Sequence, residues 1–457
     1  MSELHITNPA SGEIIASLPI DSAEKIQALY QRARRAQPAW AATPLSERLA
    51  LMQNFRARLV AEHETLARLL SQEVGKPIRQ ARNELNGFLT RFDYFQAQVG
   101  SVLGEEEVHA ENGLRESITQ EPLGVIANIS AWNYPWLVGC NVFIPALLTG
   151  NTVLYKPSEF ATLTGQAISR LFVEAGFPAD VFLAVIGGRE AGVALLQEDL
   201  DGVFFTGSHA TGKAIATQLA GRLLRMGMEL GGKDPLYVCD DVDLAAVAAA
   251  AADGAFYNNG QSCCAVERIY VHHHIYPAFL EAFRANVAEF VIGDPLDENT
   301  YIGALTRGEA AIHTLEAQIR DAQAQGARLL CGGQRLNRPG AFFAPTVLAD
   351  THHSMQVMQE ESFGPIIGLQ PVYSDQEAIT LMNDTPYGLT ASVYTPNPER
   401  ARSILQQMRT GTVYWNCCDR VSPHLPWSGR GHSGIGSTLS RAGILSFTQP
   451  KAWHWKG

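Results

Sequence analysis

Two cysteines stand side by side at Cys263-Cys264, directly after Asn258-Asn259-Gly260-Gln261-Ser262. Asn and Gly tolerate left-handed backbone, so this stretch can stop a helix and swing a thiol into a cleft. A thiolate placed there attacks carbonyl carbon. Spacing leaves open which cysteine does so, and two small buried hydrophobes are the bland alternative. Met228-Glu229-Leu230-Gly231-Gly232-Lys233 sets one carboxylate between apolar residues and a double glycine. Such surroundings raise a carboxyl pKa and suit a general base. Trp132-Asn133-Tyr134-Pro135 carries an amide able to donate to an oxyanion.

Two further segments suit nucleotide contacts, with an ordinary helix start and a common Lys-Pro turn as the bland alternatives. Val203-Phe204-Phe205-Thr206-Gly207-Ser208 runs from a strand into a glycine turn, with Gly212 in the first turn of the next helix. Free backbone N–H groups at such a start suit a phosphate. Leu154-Tyr155-Lys156-Pro157-Ser158-Glu159 leaves a strand at its C-terminal end, where a lysine and an acid three residues apart can hold a ribose.

These residues need positioning elements. The first hundred residues read as helices: Ser22 caps one, Ser46 opens a second that runs to Gly75, and a third ends near Gln98. Residues 104–120 read as a polar hairpin turning at Glu111-Asn112-Gly113. From Pro122 short apolar strands alternate with helices. Strands fall at 123–129, 152–155, 181–186, 203–205, 235–238 and 268–271, and helices at 137–148, 163–175, 244–257 and 277–290. That rhythm implies a doubly wound parallel sheet and a second α/β region. The tail, 446–455, reads as extended and free to pair with the hairpin of its own chain or a partner's.

Taken together, the motifs resemble the aldehyde dehydrogenase superfamily across nearly the whole chain, from Asn8-Pro9-Ala10-Ser11-Gly12-Glu13 to the tail. Phe205-Thr206-Gly207-Ser208, Glu229-Leu230-Gly231-Gly232-Lys233, Gly260-Gln261-Ser262-Cys263 and Glu360-Glu361-Ser362-Phe363-Gly364-Pro365 carry it with the Trp132 segment. The resemblance implies an α/β fold with a Rossmann-type doubly wound NAD-binding domain (1–103 and 122–230), an α/β catalytic domain (231–430) and oligomerisation strands (104–121 and 436–457). It implies Cys263 as nucleophile, Glu229 as base, and Asn133 with the Cys263 N–H as oxyanion hole. Trp132, Lys156, Glu159, Thr206, Gly207, Ser208, Leu230, Glu361 and Phe363 fall at cofactor positions. An acid at Glu159 repels a 2′-phosphate, so NAD is expected over NADP. A homodimer or homotetramer is expected.

The chain departs from the family pattern in places. Val142 stands at a usual lysine, and Ser437-Thr438 at a usual Arg-Glu pair. Pro426-Trp427-Ser428-Gly429 replaces a Phe-Gly-Gly motif. The arginines that clamp succinate semialdehyde in relatives fall at Asn141 and Tyr257, which supply no cation. A tunnel lined by Tyr134, Asn141, Tyr257, Ser422 and Trp427 therefore favours an uncharged, medium-sized or aromatic aldehyde. Arg420 is the one cation expected near enough to favour a semialdehyde instead. Acyl transfer to coenzyme A and a redox-free cysteine hydrolase are the rival activities. Glu229 argues against the first and the nucleotide segments against the second.

Composition narrows the remaining classes. Across 457 residues, 35 Lys+Arg against 46 Asp+Glu gives a net charge of −11, which disfavours nucleic acid or an anionic membrane as main partner. The uncharged run 123–155 is broken by Asn128, Asn133, Asn141, Pro135 and Pro145, so it reads as buried core rather than a membrane span. Seven unevenly spaced cysteines and the absence of a signal-like start point to reduced thiols in a cytoplasmic setting. His272-His273-His274 ends a strand with no acid at ligand spacing, so no metal site is expected.

Overall fold

A computed structural model describes residues 3–457. Its centre is two mainly parallel sheets joined in sequence at the Glu229–Asp234 connection. The first has the order Gly434–Ile435, Arg225–Glu229, Gly202–Thr206, Val125–Ile129, Thr152–Lys156 and Phe182–Ala184, with only its Gly434–Ile435 edge antiparallel. All five residues of both Val125–Ile129 and Thr152–Lys156 are buried. Strands covered on both faces read as continuous apolar runs, which is why the sequence shows them. Helices Ile78–Leu103, Pro135–Leu148 and Thr162–Glu174 cover one face through a core containing Phe55, Phe88, Phe92, Phe143 and Phe172. Ala23–Ala42 covers the other with Ile26, Leu29 and Ala33.

The second sheet has the order Arg328–Cys331, Thr346–Ala349, Ile366–Val372, Val266–His272, Asp234–Val238, Thr390–Tyr394 and Thr412–Trp415. Only Arg328–Cys331 runs antiparallel. Leu244–Phe256 and Tyr276–Ala288 pack on one face, Glu309–Ala324 and Asp375–Asn383 on the other. No helix of the described residues is long and apolar enough to cross a membrane.

Several expected elements come out differently. The chain opens with an antiparallel hairpin, Glu3–Thr7 with Ile14–Pro19, not with a helix. Most of it is at least partly exposed, so it lacks the apolar alternation that announces a strand. Ser22 does cap its helix, accepting from the Lys25 N–H, but Ser46 caps nothing: that helix starts at Leu45 after Pro44. It also breaks at Glu62 into Leu45–Ala61 and His63–Val74, the latter stopped by left-handed Gly75. The hairpin Glu106–Glu111 and Leu114–Pro122 is present, and Thr448–Lys456 pairs with it in the same chain. The rest of 436–457 is not strand, because Ser440–Leu445 is a helix packed on Ile78–Leu103 and Pro135–Leu148.

Candidate active site

The helix Leu244–Phe256 gives way to three successive left-handed residues, Asn258 (φ 54°), Asn259 (φ 58°) and Gly260 (φ 69°). Such backbone is costly for side-chain-bearing residues and persists only where neighbours hold it. Here they do. Asn258 Nδ2 donates to the carbonyls of Asn133 (3.2 Å) and Gln261 (3.0 Å), and its N–H donates to Gln80 Oε1 at 2.9 Å. Asn259 bridges the Ala304 carbonyl and the Gly303 N–H. A Cβ on Gly260 would collide with the Gly364 carbonyl, so only glycine fits.

The turn treats its two cysteines differently. Cys264 is buried and donates to Asp419 Oδ1 at 3.0 Å. A hydrogen bond with Cys263, burial and the Asp419 charge push its thiol well above the usual range. Cys263 stays partly exposed, and its N–H meets no protein acceptor among the described residues. Buried Asn133 donates one amide N–H to the Gln261 carbonyl at 3.1 Å, which leaves the other free.

Glu229 ends Arg225–Glu229, and the following Gly231-Gly232 passes against the nucleophile turn. A Cβ on Gly232 would lie 2.6 Å from the Cys263 carbonyl oxygen. Burial pushes the Glu229 carboxyl up to about 8, against a 3.1 Å hydrogen bond donated by Thr438 Oγ1 to Oε1. Oε2 is buried without a partner. Thr438 thus occupies the departure from the family pattern and touches the Glu229 carboxyl itself. Trp427 holds it there through reciprocal backbone bonds of 2.7 and 2.8 Å. Val142 is buried in the apolar core.

The expected cofactor residues gather at the C-terminal edge of the first sheet. Lys156 is buried, and among the described residues it has no carboxylate at ion-pair distance and its Nζ donates only to the Pro157 carbonyl at 3.3 Å. Glu159 lies three residues on. Thr206 ends its strand opposite Glu229, and the Gly207 N–H donates to the Glu229 carbonyl at 3.0 Å. Ser208 caps His209–Leu219, its Oγ accepting from the Thr211 N–H, while the His209 and Ala210 N–H groups stay free at the helix start. A Cβ on Gly212 would come 2.6 Å from Leu230 Cδ2, so that glycine seats the helix on Leu230.

Glu361 and Phe363 come from the other sheet. The Glu361 carboxyl, pushed up to about 7 by burial, accepts from the Gly232 N–H at 3.0 Å. Phe363 is left-handed (φ 48°) and meets Trp132 edge-on, with ring centroids 5.5 Å apart. Sequence reasoning missed what fixes that turn. Buried Lys233 pairs with Glu267 at 2.6 Å, and Glu267 accepts from the Ser362 and Phe363 N–H groups, both at 3.0 Å.

The third helix, Ile78–Leu103, was expected, but not that Gln80, Asn83, Glu84 and Arg91 on it would bond the site's own segments. Asn83 donates to Tyr257 Oη (3.1 Å), and Glu84 accepts from the Trp136 N–H (2.9 Å). Arg91 donates to Asn141 Oδ1 (3.0 Å) and the Leu137 carbonyl (3.1 Å). Lys76, paired with Glu84, lies 3.8 Å over the Tyr134 ring and donates to the Asn133 carbonyl at 2.7 Å. The signal was present: Gln80, Glu84 and Arg91 interrupt an otherwise apolar buried stripe. Arg420 stands apart from this group. Its side chain is exposed and donates only to the Asp419 carbonyl. Ser422 is partly buried, and its Oγ accepts from the His424 N–H.

At the carboxyl ends of two inner strands of the second sheet, folding supplies the acid that the histidine run lacks in sequence. Asp240 Oδ2 lies 3.9 Å from His272 Nδ1 and 3.8 Å from His274 Nδ1, while Arg400 holds Oδ1 at 2.7 Å.

Residues 1–453 match the model of the aldehyde dehydrogenase family. The chain is 35% identical to succinate-semialdehyde dehydrogenase [NADP(+)] of Deinococcus radiodurans, covering 97% of this chain and 93% of that protein. It is 34% identical to betaine aldehyde dehydrogenase of Cereibacter sphaeroides, covering 97% and 92%. The crystal structure of an NAD-dependent aldehyde dehydrogenase from Sinorhizobium meliloti superposes with a TM-score of 0.96 at 34% identity, covering 100% and 91%.

Proposed function

Because the chain belongs to the aldehyde dehydrogenase family, we propose that it oxidises an aldehyde to its acid with NAD, through a thioester on Cys263 hydrolysed by Glu229-activated water. The observation that carries this reading is Glu229 itself: a carboxyl raised to about 8, one oxygen unpartnered, on the strand end whose glycines abut the nucleophile turn. Cys263 adds to the aldehyde carbon. The oxyanion that forms finds two preorganised donors, the free Asn133 amide N–H and the Cys263 backbone N–H. NAD, held by the residues named below, would supply the hydride acceptor that this oxidation needs. Water then attacks the thioester, Glu229 takes its proton, and the Cys263 sulfur leaves as thiolate.

Lys156 and Glu159 would hold the adenosine ribose, with the Thr206-Gly207-Ser208 turn and the free N–H groups of the following helix beside the pyrophosphate. Leu230, Trp132, Glu361 and Phe363 would frame the nicotinamide side. The residues suit the group, since buried Lys156 has donors to spare and lacks an acid at ion-pair distance. Glu159 beside it favours a free 2′-hydroxyl over a phosphate, hence NAD over NADP.

The test is Glu229→Gln with an oxidisable aldehyde. One NADH per site should appear quickly, and mass spectrometry should find the acyl group on Cys263. Unchanged steady turnover would remove Glu229 from the base role. We also place a dimer, or a dimer of dimers, on the three-stranded sheet, whose outer strands Glu106–Glu111 and Thr448–Lys456 are open edges. Light scattering showing a stable monomer at micromolar concentration would refute that. Its unbridged cysteines suit a reducing, cytoplasmic setting.

A further inference from the structure

We infer that Arg91 anchors an anionic group on the substrate, so that the preferred substrate is an aldehyde bearing a carboxylate away from the reacting carbon. This rests on the oxidation proposed above and names its substrate class. Arg91 is 7% exposed and has no carboxylate within ion-pair distance among the described residues. A guanidinium cannot shed its proton to escape such burial, so the charge calls for an anion. The neighbouring charges do not meet that need. Glu84 is committed to Lys76 and the Trp136 N–H, and those two opposite charges cancel. Asp419 is committed to the Cys264 thiol and Ser262.

The geometry shows which part of Arg91 remains. Nη1 alone serves the protein, donating to Asn141 Oδ1 and the Leu137 carbonyl. Among the described residues the Nε–Nη2 edge has no acceptor, and it is not among the sealed, unpartnered atoms. That edge is the planar fork that takes a carboxylate with two parallel bonds. The Asn141 bond ties the guanidinium to a residue expected to line the substrate tunnel. Asn141 lies two turns into the helix Pro135–Leu148, which Tyr134 caps directly after Asn133, and Cys140, Cys264, Glu84 and Cys263 all act on the Arg91 charge. The expectation of an uncharged substrate rested on the absence of cations at Asn141 and Tyr257. Folding delivers one to Asn141 from a different helix.

The experiment compares 4-oxobutanoate, butanal and betaine aldehyde in the native protein, Arg91→Met and Arg91→Lys, following NADH. It also measures protection of Cys263 from iodoacetamide by succinate. We expect native kcat/KM for 4-oxobutanoate to exceed that for butanal by about 30-fold. In Arg91→Met that ratio should collapse toward one, mainly through KM, and Arg91→Lys should restore part of it. Succinate should protect Cys263 in the native protein and not in Arg91→Met. Three results would overturn the anchor. These are equal native use of butanal, preference for cationic betaine aldehyde, or a parallel loss on both 4-oxobutanoate and butanal in Arg91→Met, which marks mere structural support. Failure to oxidise any aldehyde, with Arg91-dependent protection by succinate intact, would overturn the oxidation reading and uphold the anchor.

Discussion

The two parallel sheets meet the site from opposite ends. The first presents its carboxyl ends: Asn133, Lys156, Ser208 and Glu229 all follow or finish strands. The second presents its amino ends: Cys263 precedes Val266–His272, and Glu361 and Phe363 precede Ile366–Val372. Open parallel sheets bind ligands at carboxyl ends, where helix starts offer free N–H groups, and the first sheet follows that rule with little distortion. The second must bend its chain sharply to bring functional groups to the other end. It does so with left-handed Asn258, Asn259, Gly260 and Phe363, clamped by Gln80, Asn133 and Glu267. Regular backbone thus suffices for the first sheet's groups, whereas Cys263 follows strained backbone that distant residues must restrain.

The sharpest way to break this contrast is at the thiols. Cys263→Ala should lower aldehyde oxidation by about 10⁴-fold or more while NAD binding, read by fluorescence quenching, persists. Cys264→Ala should keep most activity; the reverse pattern would reassign the nucleophile. Next in size is Glu229, where Glu229→Gln should slow deacylation by about 10²–10³-fold. In the native protein, thioester hydrolysis should rise with pH through an inflection near 8, and Thr438→Val should move it higher by removing the bond that favours the carboxylate. Folding raises this pKa, so the neutral carboxyl's contribution to stability is complete at acid pH and lost as pH climbs through about 8. The fall in Tm between about pH 5 and 8 should therefore be shallower in Glu229→Gln.

A paired glycine comparison measures the strain itself. Gly260→Ala, left-handed and against the Gly364 carbonyl, should cost about 3 kcal/mol in urea unfolding. Gly221→Ala, with open space around it on the first sheet's side, should stay within about 0.5 kcal/mol. Equal costs would erase the distinction between the sheets. The smallest effect is expected at Glu159→Ser, where the NAD:NADP ratio of kcat/KM should fall by about tenfold. An unmutated protein using both cofactors equally would remove Glu159 from that role.

The same contrast explains what the amino-acid sequence discloses. Buried strands such as Val125–Ile129, and the Asn-Asn-Gly turn before Cys263, are visible because local composition determines them. The Glu3–Thr7 hairpin is not, since neither strand has a clear apolar face. Glu267, Thr438 and Arg91 are harder still. Each acts on a partner far away in sequence, and a lone polar residue inside an apolar stripe does not name the group it will meet. Asp240 beside His272 and His274 shows the same limit, because two strand ends become neighbours only when the sheet forms.

The bond between Thr438 and Glu229 also sets an order of events during synthesis. Thr438 leaves the ribosome 209 residues after Glu229, which at about 5–20 residues per second is a delay of roughly 10–40 s. Through that interval the edge strand Gly434–Ile435, which pairs beside the base, does not yet exist. A nascent chain can therefore carry its thiol turn, and stay open to stray electrophiles, before Glu229 has its Thr438 partner in place.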